Sequence, residues 1–216
     1  EISPNDSAQR FQEELGVDVY IGRGRFTGPN SIEAGERRLD FAKAIIATGA
    51  RAAVPSIPGI DDVDYLTNET VFELESLPGR LAVLGGGPLG CEMAQLFERL
   101  GAQVTIIERS SRIFPKDDTE ASETMRTVFE EEGIAVVENA TVTRLEQAGD
   151  VTRVQYEQEG AEVHRDFDKV LLALGRAPNV EGMGLEEAGV AFDAKRGVHI
   201  NDRFQTSRNH IFAIGD

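Results

Sequence analysis

The chain has 216 residues, enough for one large domain or two small ones. Hydrophobic residues make up 40% and charged residues 28%, the balance of an ordinary globular protein. A net charge of −16 repels phosphate backbones and anionic lipid, which argues against nucleic acid or a membrane surface as a partner.

Cys91 is the only cysteine, so no intrachain disulfide forms. No apolar run reaches membrane-spanning length and no signal-peptide pattern opens the sequence. These features predict a cytoplasmic protein. The first residue is Glu1 and the last is Asp216, so the sequence reads as a piece of something longer.

Along the chain, Phe11 and Leu15 mark a short helical pattern that ends at Gly16. Strands are expected around residues 17–21 and 43–48. The turn-like Gly28-Pro29-Asn30 between them suggests an antiparallel excursion. Residues 67–79 read as a connector. From Arg80 the pattern becomes strand, helix, strand, helix, strand. Residues 81–84 are a short apolar run bounded by glycines, as a buried parallel strand should be. Leu89, Met93, Leu96, Phe97 and Leu100 then repeat at helical spacing, and Gly101 stops them. Residues 104–107 read as the second strand and 119–132 as the second helix, with Met125, Val128 and Phe129 inward and Gly133 at its end. The third strand is 134–137. Residues 141–145, 151–158 and 162–167 read as a small antiparallel meander. The apolar run 170–174 should return to the parallel sheet, and 198–200 and 211–214 are strand-like pieces of the tail.

The sharpest motif is Gly85-Gly86-Gly87-Pro88-Leu89-Gly90, a G-x-G-x-x-G between a buried strand and an amphipathic helix. Gly85 permits the tight turn, Gly87 lets the backbone approach a pyrophosphate, and Gly90 lets helix and strand pack closely. The helix N-terminus offers free N–H groups and a positive dipole end. Pro88 fits early in the helix, where its missing N–H is harmless. Glu108 ends the second strand at the spacing expected of a residue that accepts hydrogen bonds from an adenosine ribose. A carboxylate there repels a 2′-phosphate and favours NAD(H) over NADP(H), although Arg109 and Arg112 follow closely. The plainer reading is a glycine-rich turn beside an incidental Glu. Turn, helix and acid together favour dinucleotide binding.

With these residues in view, the chain resembles the pyridine nucleotide–disulfide oxidoreductases, a family that includes dihydrolipoamide dehydrogenase, glutathione reductase and mercuric reductase. Ile45-Ile46-Ala47-Thr48-Gly49-Ala50 looks like the family's second flavin segment. Gly85 to Glu92 looks like its NAD turn, residues 174–179 like the loop closing the NAD domain, and residues 211–216 like the last flavin segment. Residues 19–28 and Gly90-Cys91-Glu92 look most like the mercuric reductase-like branch. The resemblance implies an α/β fold: a Rossmann-like NAD-binding domain at 67–190, flanked by partial FAD-binding segments at 1–66 and 191–216. It implies that Gly24, Thr48, Gly49, Ala50 and Asp216 would contact FAD. Glu92 would lie on the nicotinamide and flavin side as a catalytic-site residue, Val142 would touch the adenine, and Gly175 would contact NAD through its backbone. No residue is assigned to a metal.

Simpler readings stand beside these. Thr48-Gly49 could end a strand, Val142 could be packing, and Glu92 could be a solvated helix residue. Cys91 is better read as a small buried residue than as a reactive thiol. His164, His199 and His210 match no catalytic position. The implied parent passes a hydride from NADH to FAD and then electrons to a disulfide or to a metal such as Hg(II), as a homodimer formed through a C-terminal domain outside these residues. The family's first flavin turn and redox cysteines are also expected outside them, so the 216 residues alone are expected to be inactive. The alternative is a stand-alone NADH-binding module or sensor.

Overall fold

The computed structural model describes residues 7–216. They divide into two units, one built from the chain up to Arg51 and from Ala177 onward, the other from Ala52–Arg176.

In the first unit, α1 (Ala8–Glu13) is capped by Ser7, whose side chain accepts a hydrogen bond from the Arg10 amide at 3.2 Å. The strand expected over residues 17–21 does not form. Ile21 is 87% exposed, and β-propensity without a ladder partner does not make a strand. Instead β1 (Gly24–Gly28), β2 (Ser31–Ala34) and β3 (Arg37–Asp40) form an antiparallel meander, with Gly28-Pro29-Asn30 in its first turn as expected. Then follow β4 (Ala44–Ile46) and β5 (Ala50–Ala52).

The second unit opens on the short strand β6 (Tyr65–Leu66) and continues with β7 (Arg80–Leu84), α2 (Pro88–Leu100), β8 (Gln103–Ile107), α3 (Thr119–Glu132) and β9 (Ala135–Val137). Gly101 and Gly133 end the two helices in the left-handed conformation, with φ of 105° and 93°. The chain then runs through β10 (Ala140–Ala148), β11 (Val151–Gln158) and β12 (Ala161–Phe167), an antiparallel meander, and returns on β13 (Lys169–Leu172). The five-stranded parallel sheet has the order β6-β13-β7-β8-β9.

Alternation along β7 explains the layering. Leu81 and Val83 pack with Phe97, Phe129 and Ile134 on the helix side. Ala82 and Leu84 pack with Leu145, Val154, Tyr156 and Phe167, so the meander covers the other face of the sheet.

The last segment holds β14 (Arg176–Pro178), paired with β5, then α4 (Leu185–Ala188), β15 (Phe192–Asp193), β16 (Gly197–Val198) and β17 (Ile211–Ala213), which runs parallel to β4. The unit boundaries therefore fall after Arg51 and Arg176, not near 66 and 190. Packing accounts for both shifts. Ile60, Val63, Leu66 and Val71 belong to the two cores of the parallel sheet. Val180, Leu185, Ala188 and Val190 share a core with Phe26, Ala44 and Ile211. Among the described residues, no helix is long and apolar enough to cross a membrane.

Candidate functional site: a glycine turn at the sheet's switch point

From β7 the chain winds to β8 and β9 on one side, then returns to β13 on the other. The turn after β7 thus lies where strand order reverses, at the carboxyl ends of the strands, the usual ligand position in open α/β sheets. The three glycines of the motif meet different demands there. Gly85 has φ of 107°, and a Cβ on it would lie 2.5 Å from the Ala173 carbonyl oxygen. A Cβ on Gly90 would lie 2.0 Å from the Gly85 oxygen, so close contact of helix and strand forbids any side chain. Gly87 differs: its φ is −77° and a Cβ there would meet nothing within 4 Å. Nothing among the described residues requires glycine at that position. The space beside it is open, and the N–H groups of Gly87, Leu89 and Gly90 have no partner among the described residues. Pro88 is the first residue of α2 and Leu89 is exposed beside it.

Glu108 follows β8 and is 8% exposed. Its carboxylate accepts two backbone bonds of 2.6 Å, one from Gly86 and one from Ser110. The sequence pattern placed this acid beside the turn but not in it; here the carboxylate is part of the turn's own hydrogen bonding. Arg112 donates to Thr119 Oγ1 and to the Asp117 carbonyl, each at 2.8 Å, so it braces its own loop. Arg109 is exposed and has no such tie among the described residues.

Cys91 is 2% exposed and its thiol donates to the Gly86 carbonyl at 3.4 Å. Burial, then the nearby charges of Glu108 and Glu92, push the thiol up to about 12, which suits a packing residue and not a nucleophile. Glu92 is exposed in the second turn of α2. Val142 sits on β10, two residues after Ala140, whose amide bonds the Glu108 carbonyl at 2.9 Å; it is half-buried against the meander core. Gly175 follows β13 with φ of 112° and open space where a Cβ would point.

A family model described as pyridine nucleotide-disulphide oxidoreductase matches residues 3–216. The chain belongs to this family. It is 40% identical over 204 residues to a mercuric reductase of Staphylococcus aureus, covering 94% of this chain and 37% of that protein. It is 37% identical over 203 residues to a dihydrolipoyl dehydrogenase of Thermus scotoductus, covering 93% of this chain and 44% of that protein. Among solved structures it resembles the HOCl-induced flavoprotein disulfide reductase RclA from Escherichia coli. There the TM-score is 0.87 at 30% identity, over 96% of this chain and 47% of that one. The chain thus spans less than half the length of these relatives.

In this family member the residues expected on the NAD side (Gly85 to Gly90, Glu92, Glu108, Val142, Gly175) all fall in the second unit. Those expected on the flavin side (Gly24, Thr48, Gly49, Ala50, Asp216) all fall in the first. Thr48, Gly49 and Asp216 line one cleft of about 320 Å³, together with Asn179, Phe204 and Gly215. Gly24 opens β1 and Ala50 opens β5, and neither lines that cleft. Asn179 was not singled out from sequence. Its side chain donates to the Thr48 carbonyl at 3.0 Å, its amide donates to the Gly49 carbonyl at 3.0 Å, and its own carbonyl accepts from Thr48 Oγ1 at 2.9 Å. Arg51 steadies it by donating to Asn179 Oδ1 at 3.0 Å and to both oxygens of Glu181 at 3.1 Å. These partners lie about 130 residues away in sequence, so no local spacing announces them.

Proposed function

We propose that the chain binds NAD(H) with the pyrophosphate on the turn at Gly85 to Gly90, as the nicotinamide-nucleotide-binding portion of a flavin-dependent oxidoreductase. The observation that carries this reading is Gly87: a glycine with an ordinary φ and, among the described residues, no neighbour to clash with, beside three N–H groups at a helix N-terminus that have no partner among those residues. An anion supplies the partners those groups lack. The ribose then lies toward Glu108, whose oxygens keep lone pairs beyond the two backbone bonds, and a carboxylate at that point favours NAD(H) over NADP(H). Val142 would lie on the adenine side and Gly175 would meet the dinucleotide through its backbone. Ala52–Arg176 would be the NAD domain, and the other unit part of a flavin domain.

FAD, when bound, would take the hydride from NADH and pass electrons to a disulfide or to a metal such as Hg(II). The cleft at Thr48, Gly49 and Asp216 suits part of a flavin: backbone groups on two glycine-containing strand ends and a carboxylate able to accept from a hydroxyl. Glu92, exposed in the second turn of α2, would face the nicotinamide side. Similarity to a mercuric reductase supports placing the parent in that branch. A cytoplasmic homodimer is part of the same proposal.

A second reading is an NADH-binding module without redox activity. It is favoured by the state of the only cysteine, buried and held protonated. Titrating the purified chain with NADH, alongside Gly87→Val, tests the binding; flavin bands in its visible spectrum would exclude the second reading, whereas a colourless chain is compatible with both. Saturable binding lost in the variant supports the turn as the site. Binding unchanged in the variant refutes it.

A further inference from the structure

The glycine turn is held from outside its own sequence. Residues 110–117, the loop after Glu108, fold back over it. Ile113 is fully buried, and its Cγ2 lies 2.8 Å from where a Cβ on Gly86 would stand. The Phe114 amide donates to the Gly86 carbonyl at 2.7 Å. Phe114 does so with φ of 48°, a left-handed conformation that a bulky residue adopts only when its surroundings impose it. One set of contacts imposing it is plain. Glu138, after β9, accepts the Ile113 amide on Oε1 at 3.1 Å, while Arg126 of α3 holds its other oxygen. The Glu138 side chain is only 15% exposed. Ser122 Oγ donates to the Ile113 carbonyl at 2.7 Å on the other side.

This geometry matters because Gly86 C=O and Gly87 N–H share one trans peptide plane and point in opposite directions. Fixing the carbonyl on Phe114 fixes the Gly87 N–H away from the loop, toward the open space beside the turn. We propose that Glu138 is a positioning residue for dinucleotide binding. It holds Ile113 and Phe114 in place, so that the Gly86–Gly87 peptide presents its N–H to the ligand before the ligand arrives. The proposal rests on the reading of Gly85 to Gly90 as a pyrophosphate site. Glu138 itself touches no ligand in this scheme, and no sequence motif marks it.

The test compares NADH affinity in the wild-type chain and in Glu138→Ala, Glu138→Gln, Glu132→Ala and Gly87→Val, each with its melting temperature. Glu132 is the control: it ends α3, which also carries Arg126, and pairs with Arg99 and Gln95 in the C-terminal half of α2, away from the turn at that helix's N-terminus. Glu138→Ala should weaken NADH about tenfold, because a displaced first contact is expensive in a preorganised site. Glu138→Gln, which still offers the Ile113 amide an acceptor, should recover to within about twofold of wild type, and Glu132→Ala should bind as wild type. If Glu138→Ala does not fold, Arg126→Met replaces it and should weaken NADH about threefold by leaving Glu138 less fixed. With Gly87→Val abolishing binding, wild-type affinity in Glu138→Ala (or in its Arg126→Met replacement) overturns this proposal alone. So does an equal loss in Glu138→Ala, Glu138→Gln and Glu132→Ala, which would mark a general loss of stability. A wild-type chain that does not bind NADH, or a Gly87→Val that binds normally, removes the pyrophosphate reading and this proposal with it.

Discussion

The Glu108 carboxylate meets the Gly86 amide at 2.6 Å, across 22 residues of sequence. One acid therefore serves two ends: it closes the glycine turn and stands at the end of β8, where a ribose would come. Removing it should harm both. Glu108→Ala strands the Gly86 and Ser110 amides and should weaken NADH by about 1–3 kcal/mol, the range for charge-assisted hydrogen bonds, while also lowering the melting temperature. Isothermal titration and thermal denaturation measure the two losses. A variant that binds and melts like wild type would show that the carboxylate serves neither.

Cofactor choice follows from the same corner. NADH should bind more tightly than NADPH. Arg112 is occupied by Thr119 and the Asp117 carbonyl, which leaves Arg109 as the nearby cation able to greet a 2′-phosphate. Arg109→Ala should widen the preference for NADH several-fold by loss of one charge-assisted contact. Parallel titrations with both dinucleotides measure it; equal affinity for the two in wild type would mean that Arg109 outweighs Glu108.

The glycines should separate folding from binding. Gly87→Val should abolish dinucleotide binding and leave the melting temperature close to wild type, because its side chain enters open space. Gly90→Ala should do the reverse first: a Cβ 2.0 Å from the Gly85 oxygen forces helix and strand apart, so stability falls sharply. Equal melting temperatures for wild type and Gly90→Ala would refute the packing argument.

Cys91 gives a pH prediction. Its folded value, about 12, lies above the ordinary 9.0, so the folded state favours the protonated thiol. That contribution is complete below pH 9.0 and is lost as pH rises toward about 12. At neutral pH a thiol-directed chromogenic reagent should label Cys91 only after denaturation. Rapid labelling of the native chain would contradict both its burial and its packing role.

Much of this was legible in sequence because it is local. Helices α2 and α3 were readable from the period near 3.6 and from Gly101 and Gly133, and the strands around them from apolar runs. The turn was readable because its glycines sit together. The unit boundaries were not, since Leu66 and Val71 join the parallel sheet's core through contacts with residues far along the chain. Residues 17–21 have the composition of a strand and lack a partner, which composition does not encode. Asn179 and Glu138 act on Thr48 and Ile113 across 131 and 25 residues. Such pairs become visible only when the fold brings them together.

The last prediction is that these 216 residues bind NAD(H) without turning over. A dithiol relay needs two cysteines close enough to exchange. Cys91 is the only one, is 2% exposed, and donates its proton to the Gly86 carbonyl. The flavin-side cleft of about 320 Å³ offers Thr48, Gly49 and Asp216, but the one glycine turn of the G-x-G-x-x-G kind is the one proposed for the nicotinamide dinucleotide. Flavin held without a second such turn leaves its own pyrophosphate in water, and small-molecule sites usually bury most of their ligand. Ile45 of β4 and Ile214, the residue after β17, are meanwhile 64% and 50% exposed, apolar surface that should favour concentration-dependent self-association. Purified chain should therefore be colourless, should bind NADH, and should not oxidise it with lipoamide, oxidised glutathione or Hg(II). Its visible spectrum, an NADH-oxidation assay with each acceptor, and sedimentation at several concentrations read these outcomes directly. Stoichiometric flavin absorbance together with NADH-dependent reduction of any acceptor would refute the prediction, and would mean that neither a second glycine turn nor a second thiol is needed.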